Sequence, residues 1–169
     1  MNDIYKYLWV VPSFILLQVL VLNNIQFVNY INPLVYILLL ITLPQDTEKW
    51  FFIIFSFILG ILLDVFEGNI GLNASSLVFI SFLLPYLHKV LIPKNSVDEK
   101  DRLSLKILGV RVFSVYAISV IFIHNLFLFF LEHFSTSGFL FIILKVVLSS
   151  IVTFIIIFTF QLFTLKSKE

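Results

Sequence analysis

Asp64 is the first charged residue in the apolar run Trp50–Phe66, and a carboxylate held within hydrocarbon costs a few kcal/mol unless something compensates it. Gly60 lies four residues before it and Gly68 four after, so the three share one face if the helix persists for another turn. Small residues at that spacing let a second backbone approach closely. Two uses of the carboxylate follow: a buried polar clamp between neighbouring spans near one membrane face, or a group close enough to its helix end to reach interfacial water. Two other polar sites interrupt apolar runs, His124-Asn125 and Lys145. If the third and sixth spans are neighbours, Lys145 and Asp64 lie at similar depth and can pair, which lowers the cost of burying either. His124 has no carboxylate within one helical turn and reads as a packing residue rather than a proton carrier.

The inventory for enzymatic chemistry is thin. His88, His124 and His133 are scattered, and no His-Glu-x-x-His, phosphate-binding glycine loop or nucleophile elbow occurs. Zero cysteines exclude thiolate chemistry and disulfides. Asp64, Glu67 and Glu132 lack the close spacing of a metal site. The expectation is a chain that is not an enzyme and carries neither metal nor cofactor.

The elements that must position these residues are set by composition. At 169 residues, 60% hydrophobic and 12% charged, with mean hydropathy +1.09, the chain has too few polar groups to coat a soluble globule, so lipid is its first partner. Its basic residues form no separate polar domain, which argues against nucleic acid. Apolar runs at about Tyr7–Val28, Asn32–Leu43, Trp50–Phe66, Leu72–Leu91, Gly109–Leu131 and Phe139–Leu165 predict an all-α, polytopic membrane protein of about six transmembrane helices, one integral domain over residues 1–169. Asn23-Asn24, following the apolar stretch from about Leu8 to Leu22, offers no cleavage site, so the first run reads as an uncleaved signal anchor. The second run is short. Asn32-Pro33 opens it and Pro44 follows it, leaving either a short span or a re-entrant segment.

With six spans, ten of the eleven Lys and Arg residues fall on one face: Lys6, Lys49, the group Lys89, Lys94, Lys100, Arg102, Lys106 and Arg111, then Lys166 and Lys168. The opposite gaps, Asn29–Ile31, Glu67–Gly71 and Glu132–Gly138, hold none, and Lys145 lies inside the last run. The positive-inside rule then places both termini in the cytoplasm, with His88–Lys106 as a solvated cytoplasmic loop. Trp9 and Trp50, near the same face, read as interfacial anchors.

The third and fourth runs are joined by Glu67-Gly68-Asn69-Ile70-Gly71-Leu72-Asn73-Ala74-Ser75, whose glycines suit a tight turn and whose Asn73 or Ser75 suits a helix cap. The whole stretch from Gly60 to Ala74, preceded by Asn32-Pro33, resembles the rod shape-determining protein MreD family, and length and span layout agree across the chain. By position the resemblance marks Pro33, Gly60, Asp64, Gly71 and Leu72, with Gly68 extending the rim. It implies a non-enzymatic component of the bacterial inner membrane that binds an MreC-like bitopic protein near MreB-like filaments and cell-wall synthases, helping to set rod shape and peptidoglycan synthesis. The segment His88–Lys106 is longer than the family often has. The family is also similar in fold to the substrate-binding membrane subunits of vitamin transporters, which supplies an alternative function using the Glu67–Gly71 hairpin and His124 as a ligand pocket.

Overall fold

The computed structural model describes residues 11–22, 31–69, 71–93, 97–133 and 138–166. Expectations for Lys6, Trp9, Lys94, Lys168 and the ends of the first run lie outside those residues. The described elements are helical: α1 Val11–Leu22, whose last turns Leu17–Leu22 are wound as a π-helix; a 3-10 turn Val35–Ile37 leading into α2 Leu38–Ile41; α3 Lys49–Glu67; α4 Leu72–Leu91; α5 Leu105–His133; and α6 Phe139–Lys166. The last four are each long and apolar enough to cross a membrane. At about 1.5 Å per residue even α3 reaches roughly 28 Å, close to the hydrocarbon thickness of a bilayer.

Each long helix buries one stripe and leaves apolar side chains on the rest of its surface. On α3 the stripe is Phe52, Ser56, Leu59, Gly60, Leu63 and Asp64, spaced by three and four, while Ile54, Phe57, Ile58, Ile61 and Val65 stay exposed. A helix apolar on all sides with only one side buried is suited to lipid on the other. In chain order α3 packs on α4, α4 on α5 and α5 on α6, while α1 reaches α3. The ammonium of Lys49, at the start of α3, lies 5.8 Å from the ring of Tyr86 near the end of α4, so the two run antiparallel. One end of the bundle therefore collects Lys49, Lys89, Arg102 and Lys106, here termed the basic end; the other, the hairpin end, carries Glu67 and Glu132.

The second apolar run is neither a continuous helix nor a surface re-entrant loop. Only residues 35–41 are helical, and residues 34–41 are all buried. The run starts at the hairpin end, where Asn32 and Leu34 adjoin Glu67 and Glu132, and finishes at the basic end, where Thr42 adjoins Lys106 and Thr164. A few extended residues and two short helical turns cover roughly 20 Å on the way. Irregular backbone is tolerated at membrane depth only when protein surrounds it and satisfies its polar groups. Three side chains do so. Gln18 Nε2 donates to the Pro33 carbonyl at 2.8 Å and its Oε1 accepts the Val35 N–H at 3.0 Å. Ser149 accepts the Asn32 N–H and Thr153 the Leu34 N–H, both at 3.0 Å. Ser149 and Thr153 are four apart on α6 and so present one polar face to this threaded segment.

Two further expectations change. His88 belongs to the last turn of α4 rather than to a solvated loop: it is 3% exposed, and its Nε2 hydrogen-bonds the Tyr116 hydroxyl of α5 at 2.9 Å. The buried stripe of α4 simply continues through Leu84 to His88. Beyond Leu91 the connection is partly packed as well, with Ile92, Leu103 and Leu105 buried and the Asp46 N–H donating to the Glu99 carbonyl at 3.0 Å. At the head of α5 Gly109 takes φ 72° and ψ 164°, a conformation open essentially to glycine alone, and breaks the helix where the fifth span was expected to begin.

Candidate functional site

The residues singled out on α3 form one joint with α4 at the hairpin end. α3 stops because Gly68 adopts a left-handed conformation (φ 71°) and its N–H returns to the Asp64 carbonyl, as does the N–H of Asn69 at 3.0 Å. Gly71, also left-handed (φ 76°), starts α4. The turn thereby points the free N–H groups of α4's first residues at the Asp64 side chain. Its Oδ1 accepts the Asn73 N–H at 2.9 Å and its Oδ2 the Ala74 N–H at 3.0 Å. The cap of α4 is thus supplied across the turn by α3, rather than by Asn73 or Ser75 as the sequence suggested. A buried carboxylate placed on a helix N-terminus meets unpaired donors and the positive end of the helix dipole together. Charge-assisted bonds of this kind contribute about 1.5–3 kcal/mol each, enough to offset the burial cost of a group that is 4% exposed.

Gly60 works on the same stretch of α4 one turn away. A Cβ at Gly60 would lie 2.3 Å from Ala74 Cα and 2.6 Å from Ala74 N, so only glycine admits this approach. Deeper in the contact the Ser56 and Ser81 hydroxyls hydrogen-bond across the two helices. Gly68 and Gly71 have open space where a side chain would go. The continuous close-packing rim expected from Gly60 through Gly71 is therefore corrected: the helix ends at Glu67, Gly60 alone provides close approach, and Gly68 and Gly71 provide turn geometry. Leu72 begins α4, and its carbonyl accepts the Ser76 hydroxyl at 2.8 Å. Pro33 is 15 residues beyond Gln18 and contributes its carbonyl to the bond already described.

Asn73 carries the joint into the threaded segment. Its side-chain nitrogen donates to Asp64 Oδ1 at 3.1 Å and to Glu67 Oε2 at 2.7 Å, and its oxygen accepts the Tyr36 hydroxyl at 2.8 Å. Asn69 donates to the same Glu67 oxygen at 3.0 Å. Tyr36 in turn meets His124 edge-on, with ring centroids 5.6 Å apart. His124 is fully buried, Nδ1 lies 3.3 Å from Asn125 Oδ1, and Asn125 donates to Ser150 of α6 at 3.0 Å. His124 Nε2 has no hydrogen-bond partner among the described residues. Tyr36 was not among the residues the sequence singled out, and Asn73, expected there as a helix cap, instead links Asp64 and Glu67 to Tyr36.

Lys145 does not pair with Asp64. Its ammonium bonds both carboxylate oxygens of Glu132, at 3.0 and 3.2 Å, and lies 4.6 Å from the Phe129 ring centroid. The reason is helix order. α6 packs on α5, so Lys145 reaches the end of its own hairpin partner, while both oxygens of Asp64 are already engaged by α4. Glu67 and Glu132 both line a cavity of about 40 Å³ together with Asn32, Asn69 and Asn73. Among the described residues, no group of His, Asp and Glu side chains is arranged to hold a metal ion.

Fold and site together define an all-helical membrane protein in which two helical hairpins, α3–α4 and α5–α6, enclose a threaded segment and are locked at one end by buried polar joints. No family model, curated protein or solved structure matches the chain.

Proposed function

We propose that this protein is a non-enzymatic scaffold of the bacterial inner membrane, with both termini cytoplasmic, that binds an MreC-like bitopic partner within the cell-elongation machinery. The observation that supports this reading is the use made of the motif carrying the MreD resemblance. Gly60, Asp64, Gly68 and Gly71 are given over to fixing α3 against α4 and shaping the turn between them, which supplies the rigid framework that a binding surface requires. With that motif turned inward, the surface offered to a partner is the outward apolar face of α3, including Ile54, Phe57, Ile58, Ile61 and Val65. The cation distribution supports the orientation, since the described Lys and Arg side chains other than Lys145 cluster at the basic end.

The transporter-subunit alternative has a weaker basis. Its ligand would enter at the hairpin end, where the cavity beside Glu67 and Glu132 measures about 40 Å³, whereas small-molecule sites run to about 300–1,000 Å³. Affinity purification in mild detergent, followed by mass spectrometry, separates the two. A scaffold copurifies with a bitopic MreC-like protein and its depletion rounds the cells. Recovery of an ATP-hydrolysing coupling module with a bound small molecule would overturn the proposal.

A further inference from the structure

The basic end contains a second, larger feature that the scaffold reading does not use. A cavity of about 420 Å³ opens there between α1, the threaded segment, the start of α5 and the last turns of α6, a size ordinary for a small-ligand site. One wall is apolar, built from Phe14, Leu39 and Ile107, and the rim carries Arg102 and Lys106, with no carboxylate among the described lining residues. Lys106 is exposed and has no ion-pair partner among the described residues. Gln161, also in the lining, accepts the Leu105 N–H through Oε1 at 3.3 Å, which leaves its amide nitrogen as a donor. The connection bearing Arg102 is fixed beside the cavity by the fully buried Leu103 and by the Asp46–Glu99 backbone bond.

An apolar wall continuous with a rim that carries two cationic side chains and, among the described residues, no carboxylate, set where four membrane-length helices end, matches one kind of molecule. We infer that this cavity binds an anionic phospholipid, its phosphate held between Arg102 and Lys106 with the Gln161 amide as an added donor, and the upper part of an acyl chain lying along Phe14, Leu39 and Ile107. Cationic pockets between membrane helices hold acidic headgroups by this combination of charge and apolar contact. Free phosphate shares the headgroup chemistry but makes no use of the apolar wall. The inference needs the chain to be a membrane protein and is independent of the partner proposed above.

The test uses the full chain purified in a neutral detergent. Thermal unfolding is followed with added phosphatidylglycerol, phosphatidylcholine or inorganic phosphate, and retained lipid is counted by native mass spectrometry. Phosphatidylglycerol is expected to raise Tm by several degrees and to be retained at least tenfold over phosphatidylcholine, with little effect of phosphate. The double variant Arg102→Gln/Lys106→Gln should lose that preference. Ile107→Trp, which keeps both charges and fills the cavity, should lose it too, and decides the matter if the double variant does not fold. Equal retention of the two lipids, unchanged retention in Ile107→Trp, or stabilisation by phosphate equal to that by phosphatidylglycerol would each overturn the assignment, the last by showing a free-anion site.

Discussion

Gly60 and Asp64, one turn apart on α3, act on the same residue of α4: Gly60 leaves room for the backbone of Ala74, and Asp64 accepts that residue's N–H at 3.0 Å. Close approach and hydrogen bond depend on each other. Without the glycine the N-terminus of α4 cannot come within reach of the carboxylate, and without the carboxylate the approach would bury unpaired donors.

Gly60→Ala should therefore be costly although it adds one methyl group. Overpacking of this kind typically costs about 1–3 kcal/mol, and here the obstructing atoms are backbone. Thermal unfolding in detergent should show a clear loss for Gly60→Ala and almost none for Gly138→Ala, where nothing lies within 4 Å. Equal tolerance at both positions would refute the close-approach account.

Asp64→Asn turns one acceptor oxygen into a donor facing N–H groups, with an expected loss of about 1–3 kcal/mol. Asp64→Leu should be worse, or prevent accumulation. Combined with Asn73→Ala it should be non-additive, since the Asn73 side chain donates to Asp64 Oδ1. Combined with Lys145→Gln it should be additive, because Lys145 serves Glu132 instead.

The Glu132–Lys145 pair is asymmetric in burial, with side chains 38% and 8% exposed respectively. Removing the carboxylate strands an ammonium inside the bundle, whereas removing the ammonium leaves a carboxylate that still reaches the surface. Glu132→Gln should lower Tm more than Lys145→Met does. The reverse order would mean that the pair is not the main compensation for Lys145.

At Thr153, valine keeps the shape and removes the acceptor of the Leu34 N–H. A buried donor left unpaired costs about 1–3 kcal/mol. Thr153→Val should lower Tm, and Thr153→Ser should hold it near the wild-type value. Gln18→Leu, which removes partners from both Pro33 and Val35, should cost more than Thr153→Val.

The spacing of Gly60 and Asp64 was legible because a carboxylate in an apolar run is expensive and a glycine one turn away has few other uses. The fifth apolar run, read as beginning at Gly109, coincides with the break inside α5, although that helix already starts at Leu105. Asp64's partners were not readable, because backbone N–H groups have no letter in a sequence. Lys145's partner was missed for want of helix order: a cation a short way into α6 lies level with the end of α5 once those two form a hairpin. The threaded segment escaped for a similar reason. Its signals, Gln18 in one apolar run and Ser149 with Thr153 in another, stand far apart along the chain and gain meaning only when α1 and α6 flank the same backbone.

That last arrangement bears on biogenesis. The amides of Asn32 and Leu34 find their acceptors 117 and 119 residues later, so α6 must be synthesised before these groups can be satisfied. Until α6 emerges, the segment has no stable place in the hydrocarbon and must wait where water or the insertion machinery can solvate it. Closure of the bundle thus waits on α6, and a chain truncated before Ser149 would lack the groups that draw its second apolar run inside.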